Sequence, residues 1–286
     1  MIKQNLIANK GFIVAQADFS SLEERIGANI TQDPNKIKIF TDGFDSHSLA
    51  SSYYFEEELQ NRGIIIDKDD SNSVNRIKTE AKDLRSASKP VTFSKNYGGT
   101  AYAISKSLNI PLDKAEHLSN QYDKMFEKTL EYRKQVEQFA LDNGYVQGAF
   151  GLKLRADLSS IFDEAKYSST LRTLVNMTIQ SYAMLMNRTI FKLQEAIEEQ
   201  GYEEDILIQN SVHDSIYLMV KPDAKVIEWL NKKLLEIMLW LPKEAENWVV
   251  KNDADLELGK SWVAEVMLEH NESSESIENK LEEILK

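Results

Sequence analysis

The chain has 286 residues, of which 42% are hydrophobic and 28% charged, a balance typical of a globular protein with a sizeable core. The lack of cysteine excludes disulfides and cysteine metal sites, and the net charge of −12 excludes binding of nucleic acid through bulk positive charge. Since no stretch approaches the ~20 apolar residues of a membrane helix and the N-terminus lacks a signal-peptide core, we expect a cytoplasmic protein without a membrane partner.

The first third of the sequence predicts a strand followed by helices. Residues 12–19 are rich in β-formers and predict the strand, while residues 20–30 and 45–55 begin with helix-capping residues and predict helices. The polar, irregular stretch 56–80 predicts a solvated loop or insertion. Residues 80–97 predict a further helix, which ends at a pair of glycines.

The rest of the sequence alternates long helices with short hairpins. Residues 110–144 and 164–200 have helical periodicity and stop at glycines, so each predicts one long helix. Residues 145–155 predict a hairpin or turn, residues 205–220 predict a hairpin, and residues 253–262 predict an edge strand. The tail predicts an acidic linker and a short helix that packs on this domain or on a partner, with Ile277, Leu281, Ile284 and Leu285 on one face.

Four side chains of the helix predicted at 80–97 recur at every fourth position: Arg85, Lys89, Phe93 and Tyr97. Each step drifts only about 40° around a helix, so the four form one strip roughly 18 Å long. Two cations followed by two rings suit a nucleotide, because phosphates pair with cations and a base or sugar packs on rings. The alternative is a solvated basic end beside two core aromatic residues. Pro90 lies inside this helix and removes one of its hydrogen bonds.

Two aspartates lie at positions that suit metal binding. Asp18 ends the first predicted strand, and Asp214 lies near the tip of the later hairpin. Two-metal phosphoryl transfer needs carboxylates from different elements that converge on ions roughly 3.5–4 Å apart. The alternative is that Asp18 caps a helix and Asp214 forms a turn, both common roles of aspartate.

A polar row on the helix predicted at 164–200 is the third candidate. Arg172, Asn176 and Gln180 are four residues apart and are flanked by apolar residues. Such a row is either a solvent face or a set of hydrogen-bonding groups that face a duplex groove. His47, which follows Asp45, is a candidate phosphate contact or a structural histidine.

Taken together and in order, these segments resemble the polymerase domain of family-A, DNA polymerase I-like DNA polymerases. The resemblance covers residues 1 to 264 and rests on ADFSSLEER at 17–25, Arg85-x3-Lys89-x3-Phe93-x3-Tyr97-Gly98, Arg172-x3-Asn176-x3-Gln180 and Val212-His213-Asp214. It implies an α+β fold, an incomplete right hand with an antiparallel palm sheet and largely helical fingers. The implied divisions are palm at 1–40 and 166–265, fingers at 41–165, and an acidic linker with an amphipathic helix at 266–286.

The resemblance implies a DNA-directed DNA polymerase in DNA replication that joins a dNTP to a primer 3′-hydroxyl with two Mg²⁺ ions. Asp18, Asp214 and the carbonyl of Phe19 would bind the metals, and Lys89 would join the aspartates in catalysis. The implied nucleotide contacts are Arg85, Lys89 and His47 on the triphosphate, Phe93 on sugar and base, Glu23 as the gate against a ribose 2′-hydroxyl and Tyr97 by the templating pair. Primer-template DNA would contact Arg172, Asn176, Gln180 and His213.

The sequence also departs from the family pattern. Ser215 stands where the family usually has Glu, which predicts activity with altered metal dependence. The family pattern implies a thumb and an exonuclease region before the palm segment, and their absence from this sequence predicts half of a split polymerase that works with a separate N-terminal thumb/exonuclease polypeptide. A fragment from a gene interrupted by an intron is equally consistent. The Lys/Asn/Ile-rich composition resembles phage polymerases. Two alternatives remain open: a catalytically decayed fragment that binds DNA or a partner, and a two-metal nuclease that uses the same aspartates.

Overall fold

The computed structural model describes residues 3–157 and 163–286, which form two compact units. The sheet unit comprises Met1–Glu23, Tyr182–Asn247 and Lys251–Lys286. The helical unit comprises Glu24–Ser181 and Trp248–Val250. The palm and fingers boundaries given above stay a prediction.

Strands and helices are labelled in chain order. The strands are β1 Ile13–Phe19, β2 Tyr145–Gln147, β3 Lys153–Arg155, β4 Ile206–Val212, β5 Ser215–Val220, β6 Ala254–Gly259 and β7 Val266–Leu268. The first helices are α1 Leu22–Thr31, α2 Pro34–Thr41, α3 Ser46–Tyr54, α4 Glu56–Asn61, α5 Ser71–Asn75, α6 Ile77–Glu80 and α7 Lys82–Asn96. The later helices are α8 Ala101–Leu108, α9 Leu112–Met125, α10 Glu127–Asn143, α11 Glu164–Ile179, α12 Ala183–Gln200, α13 Ala224–Met238 and α14 Ser274–Leu285.

An antiparallel sheet with the strand order β4-β5-β1-β6-β7 organises the sheet unit. The central strand β1 buries Ala15, Ala17 and Phe19, while Gln16 and Asp18 on its other face are only partly buried. This alternation follows from the period of two along a strand and points polar groups to one face of the sheet. Helix α13 contacts α12, α14 and β6 and covers the apolar side.

The predicted edge strand at 253–262 is wrong in one respect, because β6 lies between β1 and β7 rather than at an edge. The short strand β7, for which the sequence carries little signal, adds the true edge. The tail helix packs on this domain: α14 contacts α13 and β7 and buries Ile277, Leu281 and Ile284. Leu285, predicted on the same face, is instead 55% exposed.

The helical unit packs α3, α7, α8 and α9 around a common apolar core. Its buried members include Leu49, Tyr54, Val91, Ile104, Tyr122 and Met125. The predicted hairpin at 145–155 is present as the pair β2–β3. Among the described residues, no helix is long and apolar enough to cross a membrane.

One loop prediction and two helix predictions need correction, and two helices were not predicted. The stretch 56–80 is not a loop but contains α4, α5 and α6, which bury the isolated apolar residues Leu59, Val74 and Ile77. The helix predicted at 110–144 is two helices, because the backbone of Phe126 leaves the helical region as its ring is buried. The helix predicted at 164–200 breaks at residues 180–182. Helices α2 and α8, capped by Asp33 and Thr100, were not predicted.

Candidate active site

The carboxylates of Asp18 and Asp214 lie at the same end of the β1–β5 strand pair. Asp18 is paired in register with Ser215, the first residue of β5. Asp214 directly precedes it, in the two-residue turn that follows β4, and its carbonyl accepts a hydrogen bond of 3.2 Å from the amide of Phe19. His213, the other turn residue, is exposed and has a φ of 55°, the left-handed conformation that a tight hairpin turn requires. Backbone pairing alone therefore brings Asp18, Phe19, His213 and Asp214 together.

Both carboxylates are half-buried, and their environment disfavours the charged form. Burial raises the pKa of Asp18, and the charges of Asp214 and Asp255 add to this effect, while a hydrogen bond from Ser215 and the Lys3 charge oppose it. Burial likewise raises the pKa of Asp214, with a contribution from Glu23. Like charges crowded in a partly desolvated place repel each other, and a bound cation would relieve that repulsion.

Ser215 contacts Asp18 directly. Its Oγ donates a hydrogen bond of 2.5 Å to Oδ1 of Asp18. On the other side of β1, Asp255 of β6 is the register partner of Asp18. Because paired residues of antiparallel strands point to the same face, Ser215, Asp18 and Asp255 form a row across the sheet. Ser215, where the resemblance implies a Glu, thus presents a neutral donor to Asp18.

The two carboxylates fit a hard divalent cation whose remaining ligands come from a substrate. Within residues 3–157 and 163–286, no group of three or more His, Asp and Glu residues could hold a metal ion. Mg²⁺ is commonly bound by only one or two carboxylates plus substrate phosphates, and such a site needs no protein cage. The pair Asp18 and Asp214 matches that type of site.

Tyr182, which sequence reasoning missed, contacts the candidate gate residue Glu23. Tyr182 lies just before α12, and its hydroxyl hydrogen-bonds to Glu23, which is in the first turn of α1. Burial raises the pKa of Tyr182 to about 12, and the charges of Glu23 and Asp214 add to the effect. The neutral hydroxyl therefore acts as a donor to Glu23. No spacing pattern could have shown this contact, because the two residues are far apart in the sequence.

In the helical unit, Arg85 on α7 is paired with Asp45. The guanidinium donates from Nε to Oδ1 at 2.7 Å and from Nη2 to Oδ2 at 2.9 Å. Asp45 also caps α3 by accepting the amide of Ser48. Although burial opposes it, the hydrogen bonds from Arg85 and Ser48 hold the pKa of Asp45 well below its usual range. The triphosphate candidate Arg85 is thus held side-on by a carboxylate.

His47 joins the strip on α7. Its ring centroid lies 5.9 Å from that of Phe93, whose side chain is 55% exposed. Burial lowers the pKa of His47, and Lys89 and Arg85 lower it further against the opposing charge of Asp45. The ring is therefore biased towards the neutral form, and its buried Nδ1 makes no hydrogen bond within the described part of the chain. The structure places His47, Arg85, Lys89 and Phe93 on neighbouring turns of α3 and α7.

The candidate DNA contacts lie close to the C-terminal end of α7. Nδ2 of Asn176 donates to the carbonyl of Tyr97 at 3.2 Å, and the aliphatic part of Arg172 packs on Gly98. Gln180 is the C-cap residue of α11 and does not continue a helical row. The row predicted from spacing is therefore two residues on a helix and one at its end.

Comparison with known proteins matches the chain to a family. The model of DNA polymerase family A matches residues 1–264. The chain is 26% identical to "DNA polymerase I, thermostable" of Thermus aquaticus over 272 residues, covering 92% of this chain and 28% of that protein. It is 29% identical over 273 residues to "DNA polymerase I" of Streptococcus pneumoniae, with 91% and 28% covered. The chain thus spans well under half the length of these relatives.

A solved structure has the same fold. It is described as the "POL domain of Pol1 from M. smegmatis complex with DNA primer-template and dNTP", and it superposes with a TM-score of 0.73 at 22% identity over 90% of this chain and 41% of that one. This likeness confirms the predicted α+β fold with an antiparallel sheet. Together with the family match over residues 1–264, it means that the chain belongs to DNA polymerase family A.

Proposed function

We propose that the chain is the catalytic part of a DNA-directed DNA polymerase, which adds dNTPs to a primer 3′-hydroxyl. The observation that carries the proposal is the strand register, because it brings Asp18 and Asp214 to one end of the sheet. Family membership supports the reaction type. A nuclease would need the same aspartates but would have no use for the cationic and aromatic strip on α7.

Asp18, Asp214 and the carbonyl of Phe19 would hold two Mg²⁺ ions. When bound, Mg²⁺ favours attack by the 3′-hydroxyl and neutralises charge on the α-phosphate and the leaving pyrophosphate. The hydroxyl of Ser215 donates a hydrogen bond to Oδ1 of Asp18 and would help to hold this carboxylate in place for a cation. The single neutral donor in place of a carboxylate leaves the site one negative charge weaker and supports an altered metal dependence.

The strip on α7 would bind the incoming dNTP. Arg85, Lys89 and His47 would contact the triphosphate, with Asp45 orienting the guanidinium of Arg85. Lys89 would stabilise the charge that develops on the phosphates during transfer. The exposed ring of Phe93 would pack on sugar and base.

Selection of the sugar and of the template base would depend on two further residues. Glu23, held by the hydroxyl of Tyr182, would exclude a ribose 2′-hydroxyl. Tyr97, which is 47% exposed, would lie by the templating pair.

Duplex DNA would contact Arg172, Asn176 and Gln180 in its minor groove and His213 at the primer end. The net charge of −12 supports a need for further basic contacts outside these 286 residues. A separate N-terminal polypeptide with thumb and exonuclease regions would supply them. The polymerase would act on DNA in the cytoplasm of a bacterial or phage-infected cell.

The test is extension of a labelled primer on a template with Mg²⁺ and dNTPs. We expect template-directed incorporation by the wild-type chain and its loss in Asp214→Asn. Dependence on an added N-terminal half would appear as a gain in extension when that polypeptide is supplied. Primer degradation without dNTP dependence would favour the nuclease instead.

The second candidate, a non-enzymatic fragment, has one observation in its favour, the replacement of a metal-site carboxylate by Ser215. It predicts binding of primed DNA with no extension under any metal condition. Extension with Mn²⁺ but weakly with Mg²⁺ would instead support the polymerase with altered metal dependence.

A further inference from the structure

The last four carbonyls at the C-terminal end of α7 all accept hydrogen bonds. An α-helix leaves four C-terminal carbonyls without intrahelical partners. Two are satisfied by the backbone: the amide of Gly99 donates to the carbonyl of Ser94 at 2.7 Å, and that of Gly98 donates to Lys95 at 2.9 Å. With Gly98 at a φ of +76°, this pattern is a Schellman motif.

Side chains from two other helices satisfy the remaining carbonyls. Nη2 of Arg133, on α10, donates to the carbonyl of Asn96 and, at 3.3 Å, to that of Lys95. Nδ2 of Asn176, on α11, donates to the carbonyl of Tyr97. A guanidinium at this end also complements the negative end of the helix dipole. We call Arg133, Asn176 and Gly98 the α7 clamp.

Gly98 completes the clamp by leaving room for the guanidinium. A Cβ at this position would lie 2.9 Å from Nη1 of Arg133 and 3.1 Å from Cγ of Arg172. Any side chain there would displace Arg133 as well as strain the left-handed backbone. The guanidinium therefore lies directly on the turn that ends α7.

The side chains of the same turn are fixed as well. Nζ of Lys95 lies 2.9 Å from Oδ1 of Asp123, and the hydroxyl of Tyr122 donates to Oδ1 of Asn96 at 2.7 Å. These contacts come from α9, whereas the two side chains of the clamp, Arg133 and Asn176, come from α10 and α11. The final turn of α7 is thus held from several directions. The exposed rings of Phe93 and Tyr97 lie at the two ends of this turn.

We propose that Arg133 is a positioning residue for the incoming nucleotide. It acts by fixing the last turn of α7, and with it the orientation of Phe93 and Tyr97. This inference rests on the proposed role of α7 in binding dNTPs. Arg133 does not itself touch the nucleotide in this proposal, because both terminal nitrogens of its guanidinium face the end of α7.

The experiment compares Arg133→Met with Lys134→Met, an exposed neighbour on the same helix, as the matched control. Hydrogen exchange of the Gly98 and Gly99 amides reports the clamp, and equilibrium binding of a fluorescent dNTP reports nucleotide positioning. We expect Arg133→Met to accelerate exchange at both glycines and to weaken dNTP binding about tenfold. Arg133→Lys keeps the charge but not the fork of donors, and we expect an intermediate effect. Lys134→Met should change neither quantity.

Neither measurement requires catalysis, so the outcomes separate the two proposals. Normal dNTP binding that depends on Arg133, in a chain that extends no primer even when an N-terminal half is supplied, would refute the polymerase function and leave the inference standing. Unchanged exchange at Gly98 and Gly99 in a folded Arg133→Met chain would overturn the clamp. Faster exchange with unchanged dNTP binding would overturn the positioning role, as would a wild-type chain that binds no dNTP. If Arg133→Met fails to fold, Arg133→Lys decides by the same criteria.

Discussion

The carboxylate end of the β1–β5 pair and the helix α7 are built in opposite ways. In the first, burial and neighbouring carboxylates raise the pKa values of Asp18 and Asp214, so the negative charges are poorly compensated. In the second, the cation of Arg85 is already paired with Asp45, and Lys95 is paired with Asp123. The first region is suited to receive a cation, whereas the second must exchange existing partners when a phosphate binds. Five predictions test these two regions and the contrast between them.

The largest expected effect is at the carboxylates. Because a metal ligand is lost, Asp18→Asn should remove high-affinity Mn²⁺ binding and reduce primer extension at least about a thousandfold. Electron paramagnetic resonance measures the Mn²⁺ binding. Since burial raises the pKa of Asp18, loss of its charge should leave thermal stability unchanged or higher. Asp255→Asn, on the same sheet face, is the control and should retain Mn²⁺ binding. Tight Mn²⁺ binding by Asp18→Asn would rule out the metal assignment.

The hydroxyl of Ser215 should tune the same site. Ser215→Ala frees Oδ1 of Asp18, and loss of such an orienting contact costs roughly tenfold in metal affinity. Ser215→Thr keeps a hydroxyl and should behave almost as the wild type. The measurement is a Mn²⁺ titration with primed DNA and dNTP present, because substrate phosphates supply the remaining ligands of such a site. Equal affinities for the Ala and Thr variants would show that the hydrogen bond has no role in metal binding.

The two regions also differ in how far the sequence predicts them. The carboxylate end was predictable because β-type runs and a tight turn are local signals, and strand pairing then fixes the positions of Asp18 and Asp214. The strip on α7 was predictable as a helix face, but its partners were not. Asp45, Arg133 and Asn176 reach it from other helices, and no spacing within one helix reveals a contact between two.

The missed helix breaks have a related cause. Neither Phe126 nor residues 180–182 contain Gly or Pro, so periodicity continues through the sequence while the backbone turns. At Phe126 the buried ring determines the turn, since the core of the helical unit surrounds it. Tertiary packing overrides local propensity at such positions.

The ion pair between Asp45 and Arg85 in the helical unit should contribute to the free energy of unfolding. Asp45→Ala removes both the α3 cap and the partner of Arg85, and we expect the free energy of unfolding, measured in urea at pH 7, to fall by about 1–3 kcal/mol. Asp83→Ala breaks an equally bidentate but exposed pair with Arg62 and should have a much smaller effect.

The pH dependence of the Asp45 effect has a defined sign. The folded state holds the pKa of Asp45 below its unfolded value of ~3.9, so its stabilisation is fully present above that pH and is lost as the pH falls through the folded pKa. The difference between wild type and Asp45→Ala should therefore shrink as the pH falls below about 4. A difference that stayed constant on acidification would show that the ionised carboxylate is not its source.

The smallest effect is expected at the hydroxyl of Tyr182. Tyr182→Phe removes the hydrogen bond to Glu23 and frees the gate carboxylate, so discrimination between dNTP and rNTP, measured as the ratio of kcat/KM values, should fall about fivefold, corresponding to roughly 1 kcal/mol. Tyr202→Phe, whose ring packs on Trp229 in the same unit, is the matched control. If Tyr182 acts only through Glu23, Tyr182→Phe should have no further effect in a Glu23→Ala background, because the hydroxyl then has no gate to hold. Additive losses in the double variant would place the action of Tyr182 elsewhere, and Asp214, whose charge also raises the pKa of Tyr182, would be the next residue to test.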